Sequence, residues 1–290
     1  MISLAVVMPV GPGAVEAFVR DSVVSVLSWC APDTHVVLVD DSAGPVPGLL
    51  AATLPRTQVV RIPGAPSGIR GGLYLAAGRG FRAARELDPR VMLRLDSDAV
   101  VVGPEPEADA ARFFDVHPEV GLLGSYRVTV TGASRSFQRA AQLLDRECSL
   151  RQRELPQLRL ALTLRRLLRA ASRHGYERGE HALAAASFFS RRCMDALLDH
   201  GVFDLDALRI SRLGDDHLTA LAVRSLGFEL ADFAPDPHPL AVAWKGLPLP
   251  PEEVLRRGKK IVHSVKSHRG SDEGALRDFF ARARPTLDSP

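Results

Sequence analysis

Cysteine is scarce in this chain of 290 residues: Cys30, Cys148 and Cys193 stand far apart, with no CxxC pair among them. That excludes a cysteine zinc site and a disulfide framework, and it suits a reducing compartment. Long apolar runs are missing as well. No stretch approaches the ~20 residues of a membrane span, and no basic residue precedes the apolar start at residues 2–10, so neither an anchor nor a signal peptide is expected. Aromatic residues are only 6% of the chain, which leaves few platforms for stacking bases and argues against nucleic acid as a partner. Glycine and proline are too few for a collagenous or low-complexity chain. What remains, 46% hydrophobic and 24% charged residues with a net charge of +3, is the make-up of a globular protein with a sizeable core.

Residues 2–10, 35–39, 58–62, 91–95 and 120–125 are short apolar runs rich in β-branched side chains, as buried parallel strands are. Between them, helical spacing appears at 15–29 (Val15, Phe18, Val19, Val23, Val26, Leu27), 71–87 and 107–116. Strands alternating with helices predict right-handed βαβ units, and hence an α/β fold with a mostly parallel sheet covered on both faces. Residues 138–173 read as helical and basic instead. Between Arg151 and Arg173 there are seven arginines and one acid, Glu154, with Leu155, Leu158, Leu162 and Leu168 near one face. The α/β texture returns after Gly175, with a strand at 183–190, a helix at 191–200, another opened by Gly214-Asp215-Asp216, and a last strand at 259–265.

In open parallel sheets, ligands bind outside the carboxyl ends of the strands. Asp40-Asp41 ends the second strand and Asp96-Ser97-Asp98 the fourth. Acids gathered in one crevice repel, and a divalent cation relieves this; oxygen ligands suit Mg²⁺ or Mn²⁺ bridging to a diphosphate. The alternative is that each pair caps a turn.

Four elements in order carry a resemblance: Val36-Val-Leu-Val-Asp40-Asp41-Ser42, Gly68-Ile-Arg70-Gly71-Gly72, Asp96-Ser-Asp98 and Gly214-Asp215-Asp216-His-Leu218, with Val6-Val-Met-Pro9-Val10 as the opening strand. Together they resemble the nucleotide-sugar glycosyltransferases of the GT-A fold, close to family 2 in motif style. The resemblance implies a donor site in which Pro9, Asp40 and Asp41 hold base and ribose, with Gly68, Arg70 and Gly71 beside the diphosphate. It implies Asp96 and Asp98 as the DxD element on ribose and metal, Mn²⁺ or Mg²⁺. The later motif usually reads Glu-Asp and here reads Asp-Asp; its second acid, Asp216, would be the base that deprotonates the acceptor hydroxyl, with Asp215 in support. Both could instead be an N-cap pair. A late histidine in such chains often completes the metal site, a place that His263 fits, unless it is merely packed; Lys266 or Lys260 would sit on the leaving diphosphate. Glu180 and His181 fall where donor sugar and acceptor meet in relatives.

The expectation is therefore a single GT-A domain over 1–290: a nucleotide-sugar half at 1–125, a basic helical insertion at 126–178, an acceptor and catalytic half at 179–270 and a tail at 271–290. The implied reaction moves a sugar from a nucleoside-diphosphate sugar, a UDP-sugar foremost, to a hydroxyl acceptor, with inversion favoured and retention left open. Two rivals stand. Gly11-Pro12-Gly13 imitates a dinucleotide fingerprint of a Rossmann oxidoreductase, but Glu16 stands in place of the third glycine and Pro12 removes an N–H. A nucleotide-sugar-binding module that has lost its chemistry is the other. The basic segment from Arg151 to Arg173 reads as a solvated flap, as a peripheral contact with an anionic membrane, or as a seat for an anionic acceptor. A cytoplasmic protein, peripheral at the inner membrane face on the second of these readings, is expected.

Overall fold

In the computed structural model the described residues are 1–42, 44–64, 68, 70–151 and 154–286. Ile69 of the glycine-rich motif, residues 152 and 153 of the basic segment and residues 287–290 of the tail lie outside them. The strands to be used below, in chain order, are β1 (Ile2–Val10), β2 (His35–Asp40), β3 (Thr57–Arg61), β4 (Pro89–Leu95), β5 (Val100–Val101), β6 (Val120–Gly124), β7 (Ala186–Ser190), β8 (Glu229–Asp232), β9 (Leu240–Val242) and β10 (Ile261–His263). The helices to be used below are α1 (Glu16–Trp29), α2 (Val46–Thr53), α3 (Gly71–Glu86), α4 (Pro106–Val116), α5 (Gln138–Glu147), α6 (Leu155–Arg173), α7 (Arg191–Asp199) and α8 (Asp215–Ser225).

The main sheet runs β3-β2-β1-β4-β7-β6-β8. β1, β2, β3 and β4 are parallel; β7 is antiparallel to both β4 and β6, and β8 is parallel to β6, so β7 alone is reversed. This is the GT-A type of α/β sheet. Alternation along β1 fixes its two layers. Ala5 and Val7 face a core shared with α3, α6, α7 and α8, whereas Leu4, Val6, Met8 and Val10 face one shared with α1 and α4. A small second sheet, β5-β10-β9, packs beside the carboxyl end of β4.

Three expectations need correction. The strand expected at 183–190 begins only at Ala186, and the one at 259–265 shrinks to Ile261–His263; the Lys259 side chain is turned inward onto the carbonyls of Ala234 and His238, both at 2.8 Å. The helical stretch 138–173 is made of two helices, α5 and α6. On α6 the buried stripe is Leu160, Ala161, Leu164, Leu167, Leu168 and Ala171, the i, i+3, i+4 set that faces α8, while Leu155 and Leu162 are 60% and 53% exposed. The basic insertion is thus part of the main core, not a solvated flap. Among the described residues no helix is long and apolar enough to cross a membrane.

Candidate active site

Asp96 and Asp98 follow β4 directly, at the carboxyl edge of the sheet. Two residues later β5 begins, and it pairs antiparallel with β10 (Ile261↔Val101, Val262↔Val100), which returns His263 to the DxD element. The His263 Nδ1–H donates to the Ala243 carbonyl at 2.7 Å, leaving Nε2 at 3.2 Å from Asp98 Oδ1 and 3.6 Å from Asp96 Oδ2. One ligand atom from each of the three residues lies within 4.8 Å of the others. Lys266 Nζ stands 3.0 Å from Asp98 Oδ2, and Ser264 Oγ donates to the same oxygen at 3.1 Å. Burial pushes the Asp98 carboxyl up, but His263 and Lys266 outweigh it and hold the group well below the usual range. Burial pushes His263 down, and the hydrogen bond to Asp98 and the charges of Asp96 and Asp98 more than reverse that. Two carboxylates and an imidazole whose second nitrogen is tied to a carbonyl are a donor set that fits Mn²⁺ or Mg²⁺.

The later acids are connected to this cluster by a residue that the sequence reading missed. Arg94 is 4% exposed in β4, two positions before Asp96 and so on the same face. It donates through one nitrogen to Asp96 Oδ1 and to the Ala184 carbonyl, each at 2.6 Å, and its other nitrogen is 2.8 Å from Asp215 Oδ2. An arginine interrupting an apolar run just before an acidic turn was the available signal. Helix α8 begins at Asp215 with Gly214 as its N-cap and no side-chain cap bond, so the two acids are its first helical residues and not the N-cap pair of the alternative reading.

Asp216 turns to a different set of partners. Its Oδ1 is 2.8 Å from His217 Nδ1, and its Oδ2 is 3.8 Å from His181 Nε2. Burial pushes Asp215 up, and Arg94 opposes this only in part against the charges of Asp216 and Asp96, so the carboxyl is held above the usual range. For Asp216 burial also acts upward, but His217 and His181 outweigh it and hold the group below that range. His181 donates from Nδ1 to the Gly179 carbonyl and accepts from Arg135 at Nε2, both at 2.8 Å, and its ring lies 4.0 Å from that of His217. Burial pushes it down to about 4, so it is neutral at ordinary pH. His181, Asp216 and His217 also come within 4.8 Å of one another, but the Arg135 guanidinium already holds the His181 nitrogen that a cation would need. Glu180 is fully buried, held by the Tyr126 hydroxyl, by Arg127 at 3.2 Å and by Arg224 at 3.0 Å. It is a structural tie, which corrects its reading as an acceptor contact.

The expected donor residues are spread along the same edge. Asp40 Oδ1 accepts from the Ser42 amide at 3.2 Å and hydroxyl at 2.7 Å, an Asx turn, while Oδ2 lies 3.8 Å from Arg61. Asp40 and Asp41 line a hollow of about 210 Å³ with Gly44, Pro45, Arg61 and Ile62. Pro9 is buried within β1 opposite Val39 and is not part of this hollow's lining. Gly68 is exposed with φ +73°. At Gly71 a Cβ would stand 1.9 Å from the Leu208 carbonyl oxygen, so close helix packing explains that glycine. Arg70, at the start of α3, lines a separate hollow with Arg146 and Arg212.

No family model and no curated protein matches this sequence. Similar solved structures do exist. One is the WbbM bifunctional glycosyltransferase, at 10% identity over 97% of this chain and 49% of that one, with a TM-score of 0.49. Another is LgtC, an active-site mutant, at 12% identity over 97% and 96%, with a TM-score of 0.48. A third is a glycosyltransferase involved in the glycosylation of the major capsid of PBCV-1, at 10% identity over 97% and 99%, with a TM-score of 0.47. This chain spans about half the length of WbbM. At these identities the likeness is one of fold.

Proposed function

We propose that the protein is a metal-dependent glycosyltransferase that moves a sugar from a nucleoside-diphosphate sugar, foremost a UDP-sugar, to an acceptor hydroxyl. The observation that carries this reading is the convergence of Asp96, Asp98 and His263 within 4.8 Å at the carboxyl edge of the sheet. Asp98, Asp96 and His263 would hold Mn²⁺ or Mg²⁺, which when bound would supply positive charge to the departing phosphate oxygen. Lys266, beside Asp98, adds a second positive group where that charge develops. Asp40 and Asp41 take the base and ribose, with the strand-end segment after Pro9 as the floor between them and the DxD. Gly68 and Arg70 border the glycine-rich turn, and Gly71 lets α3 seat close behind it.

Asp216 takes the proton of the acceptor hydroxyl, because Asp215, although the more basic of the two, is committed to Arg94. His217, at 2.8 Å, stabilises the carboxylate in its proton-accepting form. Attack by a hydroxyl activated across the donor from its leaving group gives inversion. The division into a donor half at 1–125, an insertion at 126–178 and an acceptor half at 179–270 follows from these roles. The dinucleotide alternative is disfavoured by Glu16, which opens α1 and pairs with Arg20 at 3.0 Å where a pyrophosphate would approach.

Thermal-shift measurement with UDP and Mn²⁺ tests the reading. The wild type is expected to be stabilised by the two together, and Asp98→Ala and His263→Ala to lose that stabilisation. UDP binding indifferent to Mn²⁺ and to both substitutions would reject it. Slow hydrolysis of a UDP-sugar without acceptor separates an enzyme from a binding module, which hydrolyses nothing.

A further inference from the structure

Two arginines outside the proposed chemistry, Arg146 and Arg212, line one hollow with Arg70 of the glycine-rich turn. Arg70 precedes α3, Arg146 lies in the last turn of α5, and Arg212 stands on the segment leading into α8, three residues before Asp215. With Leu143, Glu147 and Ser149 they line a hollow of about 550 Å³. All three are exposed, and among the described residues none of their guanidinium groups has a carboxylate partner. Glu147, the one acid in the wall, is buried and already engaged. It accepts from Ser211 Oγ and from the Arg212 amide, each at 2.5 Å, and so anchors the loop that carries Arg212. Ser149 also lines a second hollow of about 680 Å³ whose rim includes Arg151, Arg165, Arg169 and Arg178. There Asp145 is spent on Arg178.

Guanidinium groups around one hollow without counter-ions repel one another, and a phosphate, with its oxygens matching their forked donors, removes that repulsion. The first hollow excludes Asp40, Asp96 and Asp98 from its lining and is built on the loop that delivers Asp215 and Asp216, the acceptor side of the site. We propose that Arg70, Arg146 and Arg212 bind a phosphate group carried by the acceptor, so that the molecule receiving the sugar is a phosphate-bearing hydroxyl compound. This inference rests on the glycosyltransferase reading for the word acceptor, but the anion site itself does not.

The probe is inorganic pyrophosphate, titrated calorimetrically at low salt in EDTA so that no cation occupies the aspartates. The wild type and Asp98→Ala are expected to bind it, and Arg146→Gln/Arg212→Gln to bind about tenfold more weakly or worse, as loss of charged hydrogen bonds predicts. The double variant should keep its melting temperature and its Mn²⁺-dependent UDP binding. Absence of pyrophosphate binding by the wild type, or equal binding by the double variant, overturns the proposal. Loss of UDP binding in the double variant also overturns it, by assigning the hollow to the donor. Sedimentation with phosphatidylglycerol vesicles then separates the sources: pelleting that needs Arg146 and Arg212 supports a lipid-borne phosphate, and pyrophosphate binding without pelleting supports a soluble one. Failure of the donor reading shows separately, as UDP binding that ignores Mn²⁺.

Discussion

Asp96, after β4, and Asp215, at the start of α8, are joined through one guanidinium: Arg94 is 2.6 Å from the first and 2.8 Å from the second. The arginine is 4% exposed, so its charge is held where solvent does little to screen it. The pairing couples the element that would hold the donor to the element that would activate the acceptor.

Arg94→Met leaves both carboxylates without their counter-ion. Breaking a buried pair by removing one partner costs about 3–5 kcal/mol, and urea unfolding should register a loss of that order. Adding Asp215→Asn should recover part of it. A variant unfolding at the wild-type urea concentration would show that the bridge is not formed.

Asp216→Asn keeps the size of the side chain and removes its ability to accept a proton. Transfer to acceptor should fall by about 10²–10⁴-fold, the range for a lost general base, while Mn²⁺-dependent UDP binding persists. Near-wild-type turnover would move the base elsewhere.

His181 gives a pH signature. Its ordinary value of 6.5 is pushed down to about 4, first by burial and then by His217, with Asp216 opposing. The folded protein therefore refuses a proton that the unfolded chain accepts below about 6.5, so the contribution is complete above that pH and is lost as pH falls toward about 4. The urea midpoint of the wild type should drop across this window more steeply than that of His181→Gln. Parallel profiles would count against a neutral, buried His181.

Gly71→Ala tests packing against donor binding. The added methyl would meet the Leu208 carbonyl oxygen at 1.9 Å, so α3 or the turn at Asp206–Ile210 must shift. Overpacking of this kind costs about 1–3 kcal/mol. An unchanged melting temperature would return Gly71 to a role in binding alone.

Much of the frame was legible because it rests on local signals. β1, β2 and β4 announce themselves as apolar runs, and the acids after them stand where chain direction must put them. His263 was legible only by its place late in the chain, and the pairing of β5 with β10 is what returns it to Asp98. Arg94 was hidden because an arginine within Val91-Met-Leu-Arg-Leu95 reads as a solvent-facing interruption; only the tertiary approach of Asp215 makes its burial affordable. The buried face of α6 was misread because leucines are so dense there that several stripes satisfy helical spacing, and the choice among them is made by α8. Glu180 stood near the right place in sequence but faces Tyr126 and Arg224, a direction that no spacing encodes.

The seating of α6 has a consequence for engineering. Leu164 and Leu168 fill space behind α8, and Tyr126 and Arg127 of the same segment hold the buried carboxylate of Glu180. Residues 126–178 therefore cannot be exchanged as a cassette: a chimera would open a void in the interior and strand a charge beside it. New acceptor preferences are better sought by recolouring the outward arginines one at a time, where substitution is cheap, with the scaffold beneath left as it is.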